Sequence, residues 1–220
     1  MHQRFSMGIS LGFLLVLTAP ANSQNLLTNS AFDNGPQLAG WTSFGSAAPA
    51  DGTRTWSTND AAGLATSGSA LMTITATAPA GTVVGLSQCI DISGQAALST
   101  YKFFTSADAP AAQNQESRAV VEIAFFSNVG CTTFQNLGEG QGGNVNIIVP
   151  QAPPWSTFPG NATAGGVEGT GTAPSGANGL QVRIYLERIG GSSQQQVQFD
   201  SVVTHLQGTT PVQLITFVAE

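Results

Sequence analysis

The sequence predicts an all-β domain, an antiparallel sandwich or barrel, on three observations. Apolar residues alternate with polar ones at period two over repeated runs, those runs are rich in β-branched and aromatic residues, and clusters of Gly, Ser, Asn and Pro separate them. Sustained helical periodicity is hard to find, which favours a sandwich or barrel over a βαβ arrangement. The 220 residues suit one domain, and a hydrophobic share of 41% supplies a packed core.

Taken in order, the chain opens with a segment of a different kind. Arg4 precedes a mostly apolar run from Phe5 to Leu17, and Ala21-Asn22-Ser23 puts small residues where a signal peptidase cuts. Residues 1–23 therefore read as a secretory signal peptide. The run is shorter than the roughly 20 residues a bilayer-spanning helix needs, so an uncleaved anchor is the weaker alternative, and no membrane span is expected after cleavage. Residues 24–208 are expected to form the domain. Strands are expected at Ala70 to Thr77, Val83 to Ile92, Ser99 to Thr105, Ala119 to Phe126, Val145 to Val149, Leu180 to Glu187 and Gln196 to Leu206. In the sixth of these, Leu180, Val182, Ile184 and Leu186 point one way and Gln181, Arg183, Tyr185 and Glu187 the other, the pattern of a half-buried strand.

The last of these strands breaks its rhythm. Val197 and Phe199 share one parity while Val202 and Leu206 share the other, so an extra residue near Asp200 and Ser201 would place all four on one face. The competing reading is an unbroken strand with Val202 on the surface. Gly160 to Gly179 reads as a long loop, within which Asn161-Ala162-Thr163 matches a glycosylation acceptor. Residues 209–220 are either a further strand or a tail.

Charge excludes some functions. The chain has 6 Lys and Arg against 12 Asp and Glu, a net charge of -6, which leaves no basic footprint for nucleic acid. Beyond residue 23 the only histidine is His205, so a His-rich metal site is excluded. Export makes Cys89 and Cys131 a structural disulfide, and closing a loop of that size stabilises by about 4 kcal/mol in the chain-entropy picture. A redox role is the weaker reading without a Cys-x-x-Cys pair.

The run Asn25-Leu26-Leu27-Thr28-Asn29-Ser30-Ala31-Phe32-Asp33-Asn34-Gly35, followed by Gly40-Trp41, resembles the opening of carbohydrate-binding modules of families 4, 9 and 22. The resemblance continues at Ser67 to Leu71, at Ser99 to Phe103 and at the closing Val197 to Val202. It implies a galactose-binding-like jelly roll, a secreted β-sandwich. Ser30 stands where the family usually has glycine, and Asp33 where glutamate is commoner. The resemblance further implies that Asp33 and Asp200 are carboxylate ligands of a structural calcium ion, a cation that takes six to eight oxygens. The plain alternative is two solvated turn aspartates. Trp41 and Phe32 are expected inside the domain.

Sugar recognition needs aromatic faces beside groups that bond hydroxyls. Trp56, near Arg54, and Trp155, after Pro153-Pro154, are the candidate platforms, together with Arg183 and Tyr185 on the polar side of their strand. That side is otherwise an ordinary solvated face. Catalysis is disfavoured. No Gly-x-Ser-x-Gly elbow is present, and although Asp108, Glu116, Glu122, Glu139, Glu168 and Glu187 offer carboxylates, a glycosidase needs two of them facing across a cleft. Two functions survive: a secreted, non-catalytic domain that docks glycans or polysaccharide, and a structural or adhesive envelope or extracellular protein that contacts other envelope or matrix proteins without a sugar ligand.

Overall fold

The computed structural model describes residues 24–33, 37–110, 113–133, 145–149, 155–158 and 168–207. The segment expected to be a signal peptide, residues 208–220, the expected Asn161 acceptor and Glu139 lie outside them. The described residues form eleven strands: β1 (Thr42–Gly45), β2 (Gly52–Ser57), β3 (Ser69–Ile74), β4 (Val83–Asp91), β5 (Thr100–Asp108), β6 (Ser117–Phe126), β7 (Val145–Val149), β8 (Ser156–Phe158), β9 (Gly169–Thr172), β10 (Gly179–Arg188) and β11 (Gln195–Leu206). They make two sheets, of order β1-β4-β10-β6-β7 and β2-β3-β11-β5-β8, with β9 also paired to β5. Each of these pairings is antiparallel. From β3 to β6 the chain changes sheet at every connection, and it does so again from β10 to β11. This is the expected jelly-roll sandwich. No helix long and apolar enough to cross a membrane occurs among the described residues.

The core follows from alternation. Ala70, Met72 and Ile74 of β3 and Tyr101 and Phe103 of β5 face Val121, Ile123 and Phe125 of β6 and Leu180, Val182, Ile184 and Leu186 of β10. Each fully buried large side chain contributes roughly 1.5–3 kcal/mol. Phe32 and Trp41 join this core with their ring centroids 5.4 Å apart, as expected.

β11 contains the bulge. Asp200 pairs with Ser106 but Val203 pairs with Phe104, so β11 has one residue more than β5 between these points, and Ser201 adopts a φ of 50°. Val197, Phe199 and Val202 thereby share the core, with Leu206 packed against it. The bulge also marks a change of neighbour. Up to Phe199 the free edge of β11 pairs with β3, whereas beyond it Val202 N–H donates to Ser30 O (2.9 Å) and Leu26 N–H to Thr204 O (2.8 Å). Asn25 accounts for its place in the opening motif: its amide donates to Val202 O (2.9 Å) and accepts from Thr204 N–H (3.0 Å).

Three expectations need correction. β10 is not half-buried, because Arg183 and Tyr185 on its far side are almost as hidden as the core. The segment from Gly160 to Gly179 is not all loop, since β9 lies within it. Its glycines mask a strand, and Gly169 is glycine because a Cβ there would come within 2.3 Å of the Phe103 ring. Three further short strands, β1, β2 and β8, carry too few apolar residues to announce themselves. Cys89 and Cys131 are joined, tying β4 to the turn after β6.

Candidate functional site

Two polar regions stand out, and each is assembled from elements far apart in sequence. The first is the outer face of the five-stranded sheet. Register places Phe44 opposite Gly85, Gly85 opposite Tyr185, and Tyr185 opposite Val120, so one row crosses β1, β4, β10 and β6. The adjoining row holds Ser87, Arg183 and Glu122. Gly85 is what lets the rings meet, because a Cβ there would lie 2.3 Å from that of Tyr185. The rings of Phe44 and Tyr185 sit 5.4 Å apart at 48°, and the Arg183 guanidinium lies 4.6 Å from the Phe44 centroid.

Charge at the centre is paired. Arg183 Nη1 donates to Glu122 Oε1 (2.9 Å), Arg183 Nε to Gln181 Oε1 (2.7 Å), and Tyr185 O–H to Glu122 Oε2 (3.1 Å). Arg183 is 4% and Glu122 3% exposed, so the ion pair is desolvated and its partners hold one another in place. Burial, with the Glu122 charge second, pushes the Tyr185 hydroxyl well above its usual value, so it stays a donor. The accessible groups lie at the flanks: half-buried Phe44 and Gln181, and the Arg118–Glu187 pair at 2.7 Å.

The second region is an acidic corner on the six-stranded sheet. The β2–β3 connection brings Asp60 and Ser67 to the bulge of β11, and the opening segment brings Asp33. Ser67 Oγ contacts Asp33 Oδ1 and, at 2.5 Å, Asp60 Oδ2. Asp200 accepts from Ala61 N–H (2.9 Å) and Ser201 N–H (2.5 Å). Burial raises the Asp200 carboxyl to about 6, and the neighbouring Asp60 and Asp33 charges add to the rise. Burial would raise Asp60 too, but donors from Ser67 and from the backbone at Leu64 and Ala62 outweigh it and hold Asp60 below its ordinary value. Of these two, Asp200 is the one that takes up a proton first as pH falls. One serine proton cannot serve two carboxylates, so this corner is short of positive charge. Among the described residues no three acidic or imidazole side chains already close on one point as a metal cage. Asp33 and Asp60 meet at Ser67, and Asp200 adjoins from the strand side.

The candidate residues of the sequence are thus distributed. Asp33 and Asp200 come together. Arg183 and Tyr185 come together, on the other sheet. Trp56 is packed against the core and its indole N–H donates to Phe32 O at 3.0 Å, while half-buried Trp155 lies just before β8, at the opposite edge of the sheet from β2. The two tryptophans do not form one platform. Sequence reasoning missed Phe44 and Asp60, one on a four-residue strand and one in a turn; Glu122 it held only as a possible acid.

Every described glutamate is tied to a base: Glu116 to Arg188 (3.5 Å), Glu122 to Arg183, Glu168 to Lys102 (3.1 Å) and His205 (3.1 Å), and Glu187 to Arg118. Hydrogen bonds from the Ser193 hydroxyl and N–H, more than the Arg188 charge, lower Glu116, and His205 and Lys102 lower Glu168 against the effect of burial, the opposite of what a general acid requires.

No protein-family profile and no curated protein matches the chain. Solved structures do. An enzymatically active domain of bacteriophage CBA120 tailspike protein 4 superposes with a TM-score of 0.52 at 14% identity over 83% of this chain, which spans 21% of that one. The C-terminal family 22 carbohydrate-binding module of a Clostridium thermocellum xylanase superposes with a TM-score of 0.50 at 13% identity, over 86% of this chain and 99% of the module. The fold is a β-sandwich of the kind that carbohydrate-binding modules have. This chain shares that jelly-roll fold across nearly the whole of such a module.

Proposed function

We propose that the domain is a non-catalytic carbohydrate-binding domain whose docking surface is the outer face of the five-stranded sheet. The observation that carries this reading is the row of Phe44 and Tyr185 beside Arg183, Glu122 and Gln181. Rings offer faces to sugar C–H surfaces, and fixed polar groups bond hydroxyls without reordering. The fold supports it, as does the binding of every described glutamate to a base, which argues against acid–base chemistry by the glutamates. A polysaccharide docks along the exposed flank, from Phe44 past Gln181 or along Arg118 and Glu187, with the buried pair as a rigid backing. The leader-like segment and the disulfide support export, to the periplasm or the exterior.

The reading includes a structural calcium ion held by Asp33, Asp60 and Asp200 with the Ser67 hydroxyl. These donors fit, since all are hard oxygens and their negative charge lacks a cationic side chain. Bound there, the ion supplies positive charge that fixes the opening segment against the bulge of β11.

Affinity electrophoresis through xylan, mixed-linkage β-glucan, galactan and mannan gels tests the docking surface. Wild-type protein is expected to be retarded by at least one, and Phe44→Ala to lose the retardation while still unfolding in one cooperative transition, at a somewhat lower melting temperature because the Tyr185 and Arg183 contacts go with the ring. No retardation by any of them in the presence of calcium overturns the reading and leaves the structural or adhesive envelope role, which the closed centre of the same face favours.

A further inference from the structure

Arg54 stands on the inward side of its strand, an unusual place for a charged residue. β2 is an edge of the six-stranded sheet and exposes Thr53 and Thr55, whereas Arg54 shares the other side with buried Gly52 and with Trp56, which packs against the core. From there the side chain crosses to the five-stranded sheet. Its Nε donates to Gly85 O, and its Nη2 to Phe44 O and Ser46 O, each at 2.6 Å. A guanidinium is a planar, rigid fork of N–H groups, so carbonyls bonded to one such head are held in a fixed arrangement.

The choice of carbonyls points to a purpose. Phe44 and Gly85 face each other in the register of β1 on β4, and Ser46 follows Gly45, whose φ of 82° ends the strand. β1 has four residues, and β4 is its one neighbour in the sheet among the described residues. A short edge strand held on one side has few hydrogen bonds to lose and opens easily. Phe44 is nevertheless the ring that must stay 5.4 Å from the Tyr185 ring and 4.6 Å from the Arg183 guanidinium. Those contacts hold the ring, whereas Arg54 holds the backbone that carries it, and does so from the inner side of the sheet. We propose that Arg54 is a positioning residue for the docking face: it fixes β1 so that the Phe44 ring is in place before a polysaccharide arrives, without touching the sugar. The proposal rests on the sheet-face reading and adds to it a residue from the opposite sheet. A ring ordered in advance has less freedom to lose on binding, so the effect of Arg54 appears in affinity as well as in stability.

The test measures affinity and ring position together. Affinity electrophoresis in the polysaccharide that retards wild type compares Arg54→Lys, which keeps the charge without the fork, Arg54→Met, which loses both, and Val197→Ala, a core change in β11 away from the docking face. Arg54→Met should weaken binding tenfold or more and Arg54→Lys severalfold, while Val197→Ala lowers the melting temperature and leaves binding unchanged. In protein labelled with 4-fluorophenylalanine, the fluorine signal that disappears in Phe44→Leu should shift in both arginine variants with no sugar present. If Arg54→Met does not fold, Arg54→Lys decides. Binding unchanged in the folded arginine variants, an equal loss in Val197→Ala, or an unmoved Phe44 signal overturns the proposal and leaves the sheet-face reading standing. A wild type that none of the polysaccharides retards overturns both.

Discussion

The glutamates and the aspartates of this domain are handled in opposite ways. Each described glutamate meets an arginine, lysine or histidine, and the most deeply placed, Glu122, is satisfied by Arg183 and Tyr185 together. The aspartates of the acidic corner meet only hydroxyls, backbone N–H groups and one another. Lys102, Arg118, Arg183 and Arg188 are committed to glutamates, and Arg54 bonds the carbonyls of Phe44, Ser46 and Gly85. Charge in the outer face of the first sheet is therefore closed internally. Charge in the acidic corner is left for a proton or an external cation. The described bases are spent on glutamates and on backbone carbonyls, and none is left for the acidic corner.

The largest effect should come from breaking the closed site. Arg183→Met strands the Glu122 charge inside the protein, and removing one partner of a buried pair costs about 3–5 kcal/mol. The loss should show in urea denaturation at pH 7. It should shrink on acidification, because a stranded carboxyl has a raised folded pKa and is tolerated once protonated. The double substitution Arg183→Met with Glu122→Met should recover most of the stability. If the double variant is no better than the single one, the pair is not what these residues provide for one another.

The acidic corner should respond with the opposite sign. Asp200 has a folded value of about 6 against an ordinary 3.8, so in calcium-free protein it destabilises the fold progressively as pH rises through that interval. Asp60, held low, acts only below its ordinary value, and the two windows do not overlap. In chelator at pH 7, Asp200→Asn should therefore be more stable than wild type, by up to about 2 kcal/mol, and should lose the decline between pH 4 and pH 6. Calcium should raise the melting temperature of wild type and not of the variant. A chelated Asp200→Asn protein less stable than wild type would mean that the corner is satisfied without a cation.

What was legible in the sequence depended on whether the signal was local. Alternation in β3, β4, β5, β6 and β10 reports which face is core, because a strand's side chains obey a period of two wherever it sits. The parity break at Val202 revealed the bulge for the same reason. β1, β2, β8 and β9 escaped because glycine, threonine and serine occupy most of their positions, and Gly45, Gly52 and Gly169 are needed for the close approach of neighbours that only the tertiary structure supplies. The site was half legible. Asp33 and Asp200 could be joined through the motif that each carries, but Asp60 lies in a turn with no pattern. Arg183 and Tyr185 were visible as a polar stripe, whereas Phe44 joins them across Gly85, a contact between strands some 140 residues apart that no local reading contains. Trp56 misled because a tryptophan beside an arginine looks the same whether the indole faces solvent or the core.

The smallest predicted effect separates burial from pairing as the cause of the glutamate pattern. Arg118 and Glu187 make a short pair, at 2.7 Å, yet their side chains remain 35% and 21% exposed, whereas those of Arg183 and Glu122 are 5% and 4% exposed. Water can replace either partner at the exposed pair, so Glu187→Gln should cost no more than about 1 kcal/mol, and salt should erase most of that. Measured at low and high ionic strength by urea denaturation, a loss comparable to that of Arg183→Met would show that distance rather than desolvation sets the strength of these pairs. If Glu187 also contacts sugar on the accessible flank, Glu187→Gln should weaken polysaccharide retardation far more than it weakens folding. A surface group that binds has its worth in the complex, while a buried pair has already spent its interactions on the fold.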